Sequence, residues 1–330
     1  MLAHVSRAWN RLSPRHPHKS YGSNILDLLA HQKIDTLPKS KISFQIPPSP
    51  GHIFHDVTAQ GSTVRYHNQF QDLDCKDIGF CDFVAGWASL ADDPSTDISQ
   101  RSLTPYSASD ILASCEKGLA SCSVTLPKFF HDIDVAARRV HSEDPSSEFR
   151  LTTTITPAGS ITDPHIDGSG SGLLLFQLFG TKVLFTWPSS VRNLHWFEPR
   201  HGLRQGSLIL DRAIQELSGL RLTILERHEV VELAPGMIHA VMSPNNSAIS
   251  GWNFVRANWI SLQAVQRNML WEAELVRRQM VEGWDHVHNL EDYLNDDLRL
   301  WETLALRQAS SNPALARRIR ALIRLVRQAI

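Results

Sequence analysis

The run Thr162-Asp163-Pro164-His165-Ile166-Asp167-Gly168 sets an imidazole and a carboxylate two residues apart. On an extended backbone, residues i and i+2 share a face, so both side chains aim the same way. His239, in a short stretch after Pro235-Gly236, adds a second imidazole from a distant part of the chain. Two imidazoles and one carboxylate form the facial set that grips Fe(II) through three positions and leaves three adjacent ones open to reactants. His165, Asp167 and His239 are therefore the candidate metal ligands and the candidate catalytic centre, and the chemistry they suggest is iron-dependent oxidation.

A His-x-acid pair alone carries little weight. With 16 histidines and 34 acidic residues, such a match is expected by chance. His141-Ser142-Glu143 is one, and it reads as a helix end. His286-x-His288 falls in a helical stretch, where i and i+2 do not share a face. His165 differs in its setting. It lies at a loop-to-strand junction rich in glycine and serine, two strong strands follow, and His239 returns within the same β-rich region.

Strands have to position these residues. The β-branched stretch 151–156, the apolar runs 173–178 and 182–187, and the stretches 221–225, 229–233, 237–241 and 248–259 all read as strands. Phe179-Gly180-Thr181, Ala234-Pro235-Gly236 and Pro244-Asn245-Asn246 turn the chain between them. Many short strands with such turns indicate a β-sandwich or barrel. After Ser261 the period becomes helical. Leu262, Val265, Met269, Ala273, Val276 and Met280 share one face, and Leu315, Ile319, Leu322 and Val326 form a stripe on a last helix. Arg317, Arg318, Arg320, Arg324 and Arg327 decorate that helix and read as a solvated face. The expected organisation is a flexible N-terminal arm over 1–50, helical only at 25–31. A mixed helical part follows over 51–149, with helices at 107–119 and 127–140. A β core spans 150–261 and a helical segment 262–330.

Composition narrows the setting. The chain has 330 residues, 42% of them hydrophobic, enough for one large core or two smaller ones. A net charge of −1 gives no field toward nucleic acid or an anionic membrane. No apolar run approaches the roughly 18 residues of a membrane-spanning helix. The four cysteines make no C-x-x-C pair, which argues against a disulfide scaffold and a structural zinc site. They read as reduced thiols of a cytoplasmic or nuclear protein. Arg7, Arg11, Arg15 and Lys19 precede the first acidic residue, Asp27, as in a mitochondrial presequence. His16-Pro17-His18 does not suit an amphipathic helix, so a basic arm is the preferred reading.

Together the motifs carry a family resemblance. Thr162-x-x-His165-x-Asp167, the run from Gln177 through Phe179-Gly180-Thr181-Lys182 to Val183, Trp187-Pro188, Pro235-Gly236-x-x-His239 and Gly251-Trp252-Asn253-Phe254 resemble a JmjC domain. That family is a branch of the cupin-like 2-oxoglutarate oxygenases, and the likeness covers about residues 150–260. It implies a mainly β core, a double-stranded β-helix (jelly-roll, cupin-like), flanked by N-terminal and C-terminal helices. It implies Fe(II) on His165, Asp167 and His239, with 2-oxoglutarate and O2 as cosubstrates. Lys182 would pair with the distal carboxylate of 2-oxoglutarate, Thr162 would hydrogen-bond that carboxylate, and Asn253 would lie near the cosubstrate end of the pocket. A dicarboxylate in a dry barrel needs such a cation and hydroxyl donor. The sequence departs from the pattern in one place. Many relatives carry an Asn shortly after the carboxylate ligand, where this chain has Gly172-Leu173-Leu174-Leu175, after the flexible-looking run Gly168-Ser169-Gly170-Ser171.

The plain alternative for Lys182 is a strand-edge lysine with a snorkelling stem, but its place among Thr181, Val183, Leu184 and Phe185 favours burial, and a buried lysine needs an anion. Without the resemblance, Thr162 reads as a turn residue and Asn253 as a core amide. The expected activity is hydroxylation, or oxidative demethylation, of a protein side chain or a small molecule. Two alternatives stand beside it: a non-haem iron oxidase of small molecules that does not use 2-oxoglutarate, and an inactive cupin-like binding module. A homodimer through the C-terminal helices is the partner expected from residues 262–330; neither membrane nor nucleic acid is expected.

Overall fold

The computed structural model describes residues 2–41 apart from 13, 17, 31 and 33, four short strands between 63 and 137, and residues 152–330 apart from 157, 198–207, 246, 262 and 283–289. In chain order the elements begin with α1 (Ala3–Asn10), α2 (Lys19–Ala30), β1 (Lys39–Lys41), β2 (Thr63–Tyr66), β3 (Lys76–Gly79), β4 (Ala108–Ser109) and β5 (Val135–Ala137). Then come β6 (Thr152–Thr156), β7 (Ser160–His165), β8 (Gly172–Phe179), β9 (Lys182–Trp187), α3 (Val191–Phe197) and α4 (Leu210–Glu216). The chain ends with β10 (Arg221–Leu225), β11 (Glu229–Leu233), β12 (Ile238–Ser243), β13 (Ser247–Arg256), a 3-10 turn (Ala257–Ser261), α5 (Gln263–Glu282), α6 (Leu290–Gln308) and α7 (Pro313–Arg327).

The strands form two antiparallel sheets. One runs β10-β9-β12-β7; the other runs β1-β11-β8-β13-β6-β4-β2-β3, with β5 also on β13. Alternation along β9 shows how they are layered. Leu184 faces Leu173, Leu175, Val231, Leu233 and Ile249 of the larger sheet, with Leu225 beside it, and these side chains fill the space between the sheets. Val183, Phe185 and Trp187 point the other way, into a second core. Every residue of β9 is therefore buried, as expected of a strand covered on both faces. Gly180, with φ of 72°, makes the turn from β8 into β9, a backbone conformation that L side chains rarely adopt.

The second core corrects the expectation of a flexible N-terminal arm. Val5, Trp9, Leu12, Ile25, Leu26 and Leu29 pack with Val183, Phe185, Trp187, Ile238, Ala240 and Met242 of the smaller sheet. The helices α1 and α2 thus cover a sheet face that would otherwise expose a large apolar surface. The Trp9 indole donates to Lys19 O at 3.1 Å, and the Lys19 ammonium donates back to Trp9 O at 2.6 Å. Gly22 permits the helix crossing, since a Cβ there would lie 2.7 Å from Trp9 Nε1. Sequence polarity concealed these helices because α1 buries only Val5 and Trp9 on a face surrounded by basic residues.

Two helix expectations also change. Ala108–Ser109, within the expected helix 107–119, is a strand on β2, and Val135–Ala137, within 127–140, is a strand on β13. The remaining residues of both stretches lie outside the described residues, as do His141, Glu143, His286 and His288. A third strand in reach of the β13 edge overrides local helical period there. At the C-terminus, Val265, Met269, Ala273 and Val276 are buried as the period predicts, and so are Ile319, Leu322 and Val326, while Leu315 is half-buried. The stripe of α7 is satisfied within the chain, against α6 and α5. Asn312 caps α7 by accepting from Leu315 N at 3.1 Å, with Pro313 opening the helix. Among the described residues no helix is long and apolar enough to cross a membrane.

Trp9, fully buried, is the anchor of the N-terminal helices. Trp9→Ala is expected to cost about 3–5 kcal/mol in urea unfolding. A loss below about 1 kcal/mol would return residues 1–30 to the status of an arm.

Candidate metal centre

β7 and β12 run antiparallel, with His165 directly opposite His239. Two residues along β12, Val241 stands opposite Thr162, so three residues of β7 are matched to two of β12. This bulge lets Thr162 and His165, three apart, share the interior face, where strict alternation would separate them. The His165 and His239 rings lie 4.1 Å apart between centroids. Asp167 follows in the loop after β7. Its Oδ1 is 3.3 Å from His165 Nε2 and its Oδ2 is 3.5 Å from His239 Nε2. One ligand atom from each residue falls within 4.8 Å of the others.

Hydrogen bonding fixes which nitrogens face the centre. His165 Nδ1 lies 2.8 Å from Asp163 O and His239 Nδ1 lies 3.2 Å from Met237 O. A carbonyl accepts only, so each Nδ1 carries the hydrogen and, in the neutral ring, each Nε2 turns a lone pair toward Asp167. Three electron-pair donors directed at one point repel each other unless a cation sits among them. The donor set thus fits a divalent transition metal. In a protein without metal, a proton takes that part. Burial and the neighbouring His239 hold the His165 imidazole below its ordinary value. Burial also acts to lower His239, but the Asp167 charge and hydrogen bond outweigh it and the net direction is up. Burial acts to raise Asp167, and the two imidazoles overcome it and hold the carboxyl well below the usual range.

Lys182 starts β9 at the other end of the same interior face. It is 4% exposed, and its ammonium donates to Thr156 Oγ1 at 2.8 Å and Ser243 Oγ at 3.1 Å. Among the described residues no carboxylate pairs with it, and burial holds its value down at about 7. The cross-strand partners of those two hydroxyl residues are Ser247 and Ser160. Their hydroxyls are buried and make no hydrogen bond among the described residues. A buried cation ringed by hydroxyls fits the carboxylate of a small dianion. Thr162 is half-buried between this end and His165. Asn253 lies instead beside Asp167, Met237 and His239 at the metal end, and its amide donates to Ser171 Oγ at 3.2 Å.

Sequence reasoning missed Thr156, Ser160, Ser243 and Ser247, since lone hydroxyls in strands give no signal. It also missed Glu272 and Asp297, for which a signal exists: each is a carboxylate within an apolar helix stripe, beside Met269 and Val276 in one case, Leu294 and Trp301 in the other. The glycine and serine run after Asp167 is not loose either, for residues 168–172 are all buried. Gly236, at φ 67° in the turn before His239, donates to Gly168 O at 3.0 Å and ties the two ligand-bearing loops together.

No family model matches the chain. It is 22% identical over 197 residues to JmjC domain-containing histone demethylation protein 1 of Debaryomyces hansenii, an alignment covering 52% of this chain and 36% of that protein. The relationship is distant and JmjC-like, and the chain spans about a third of the relative's length.

Lys182 generates a test of its own. With a folded value of about 7 against an ordinary 10.5, the unfolded chain binds more protons between these limits, so stability rises with pH across that window and the penalty is full at and below pH 7. Lys182→Met is expected to be more stable than the wild type at pH 6 by roughly 1–4 kcal/mol, with the gap closing toward pH 10 in denaturant titrations. A less stable variant at pH 6 would mean that the ammonium is already compensated.

Proposed function

We propose that this chain is an Fe(II)- and 2-oxoglutarate-dependent oxygenase on a double-stranded β-helix, with His165, Asp167 and His239 as metal ligands. The observation that carries the reading is the pairing of two features on one interior face: three donors converging on a point, and a buried lysine that has no carboxylate partner among the described residues. Four residue steps along β9 lead from Lys182 to Thr186, the strand partner of His239. That is about 13 Å of strand, which a lysine side chain and a five-carbon dicarboxylate span between them. The two facing sheets, the motif set and the JmjC-like relative support the same assignment.

When bound, iron with 2-oxoglutarate and O2 supplies the oxidising chemistry: the keto acid becomes succinate and CO2, and one oxygen atom enters a substrate C–H bond. The chain's own contribution is positional. Asp163 O and Met237 O hold the imidazoles in the tautomer that presents Nε2. Lys182, Thr156 and Ser243 receive the far carboxylate and regain the full ammonium charge by doing so. Leu173, Leu233 and Met237 line the crevice beside Asp167. Thr162 faces the space between the two ends, where a hydroxyl reaches the same carboxylate.

The relative is named for histone demethylation. It supports an N-methylated lysine as substrate, whose hydroxylated methyl leaves as formaldehyde, and a nuclear place of action. Side-chain hydroxylation and a small-molecule substrate belong to the same chemistry. A second reading, an iron oxidase that does not use 2-oxoglutarate, is favoured by one observation: the Lys182 ammonium already has two hydroxyl partners, Thr156 and Ser243. A homodimer through the C-terminal helices would have to use the exposed Tyr293, Leu306 and Leu325, and sizing of the full chain decides it.

Anaerobic addition of Fe(II) and 2-oxoglutarate is expected to produce a visible absorption band that His165→Ala and Lys182→Met both abolish. Iron binding without the band selects the oxidase reading. Failure to bind iron at all would sink both and leave a binding module.

A further inference from the structure

We infer that Asp297, on α6, is a positioning residue for the metal ligand Asp167, and that the C-terminal helices are part of the metal site. The inference rests on reading His165, Asp167 and His239 as that site. Asp167 is not on a strand. It hangs between the end of β7 and the run Gly168-Ser169-Gly170-Ser171, whose composition alone gives the backbone the widest freedom available to a chain. Something outside the run must fix the Asp167 backbone.

The grip comes from α6, over a sequence separation of 127 residues. The Asp297 carboxylate accepts from Gly170 N at 2.6 Å and from Ser171 N at 3.2 Å. Trp301, one turn later on the same helix face, donates its indole N–H to Gly170 O at 3.1 Å. Both backbone groups of Gly170 are therefore held by one turn of α6. From α5, Glu272 accepts from the Ser169 hydroxyl. The glycines let these groups approach: a Cβ on Gly168 would lie 2.9 Å from Asp297 Oδ1, and one on Gly170 would lie 2.6 Å from Met269 Sδ. Asp297 is 2% exposed, and burying a carboxylate is costly unless its oxygens are hydrogen-bonded. Two of those bonds go to the loop that carries Asp167. Charge-assisted bonds to backbone N–H are among the strongest a side chain makes, and they suit the tenths-of-an-ångström placement that a metal ligand needs.

The experiment titrates the full-length protein with Co(II), a spectroscopic stand-in for Fe(II), reading affinity and the shape of the visible d–d band. Asp297→Asn keeps the volume and removes the charge. It is expected to weaken Co(II) binding roughly 10–100-fold and alter the band, while Leu304→Ala, a buried substitution farther along α6, lowers the melting temperature but holds affinity within about twofold. If Asp297→Asn does not fold, Trp301→Phe removes the neighbouring grip on Gly170 and is expected to weaken binding severalfold. Wild-type affinity in the loop-grip variants overturns the inference, as does a loss in Leu304→Ala equal to theirs. A wild type that binds no Co(II) overturns the metal-site reading itself, a result distinct from a wild type that binds and variants that bind equally well.

Discussion

The site depends on the pairing of β7 with β12. His165 faces His239 across two adjacent strands, and the bulge beside them decides which other residues look inward. A slip of one residue in either strand would turn its imidazole into the apolar layer under α1 and α2 and bring an apolar neighbour, Ile166 or Ile238, to the interior. The register is held on both sides. β12 also pairs with β9 along five positions, and the outward side chains of both strands lock into the core with the N-terminal helices. The apolar layer behind the smaller sheet is thus what stabilises the polar arrangement in front of it.

That arrangement is polar in a graded way. At one end a carboxylate sits between two imidazoles; at the other a lysine sits among hydroxyls; Leu184, Val241 and Ile249 separate them. At one end three donors converge on a point, and at the other a buried ammonium has only hydroxyl partners among the described residues. Stability and function pull in opposite directions here. An apolar residue at Lys182 would remove a buried charge and, in the proposed reading, the cation that receives the cosubstrate.

A second pair of buried acids, Glu272 and Asp297, stands behind the loop after Asp167. Burial, with Asp297 beside it, pushes Glu272 up to about 8, so near neutral pH that carboxyl is largely protonated. Helices that read as an appended segment therefore reach the loop that follows Asp167. Their apolar stripes dock them, and a carboxylate within each stripe does the local work on the loop.

Sequence alone determined several strands of the β core and singled out the three residues expected as donors. The strand patterns of 182–187, 221–225 and 229–233 coincide with β9, β10 and β11 end to end, because period and turn residues are local properties. His165, Asp167 and His239 were legible as a set because metal ligation restricts residue types so sharply. Only the tertiary structure decided the rest. It turned 3–10 and 19–30 into core helices, since two or three buried side chains per helix count only when a sheet face waits for them. It placed Asn253 at the metal end, gave Lys182 its hydroxyl partners, and converted the Gly168-Ser169-Gly170-Ser171 run from a free loop into a clamped one. Each of these rests on contacts between residues far apart in the chain, and no local pattern encodes which distant backbone a buried carboxylate will meet.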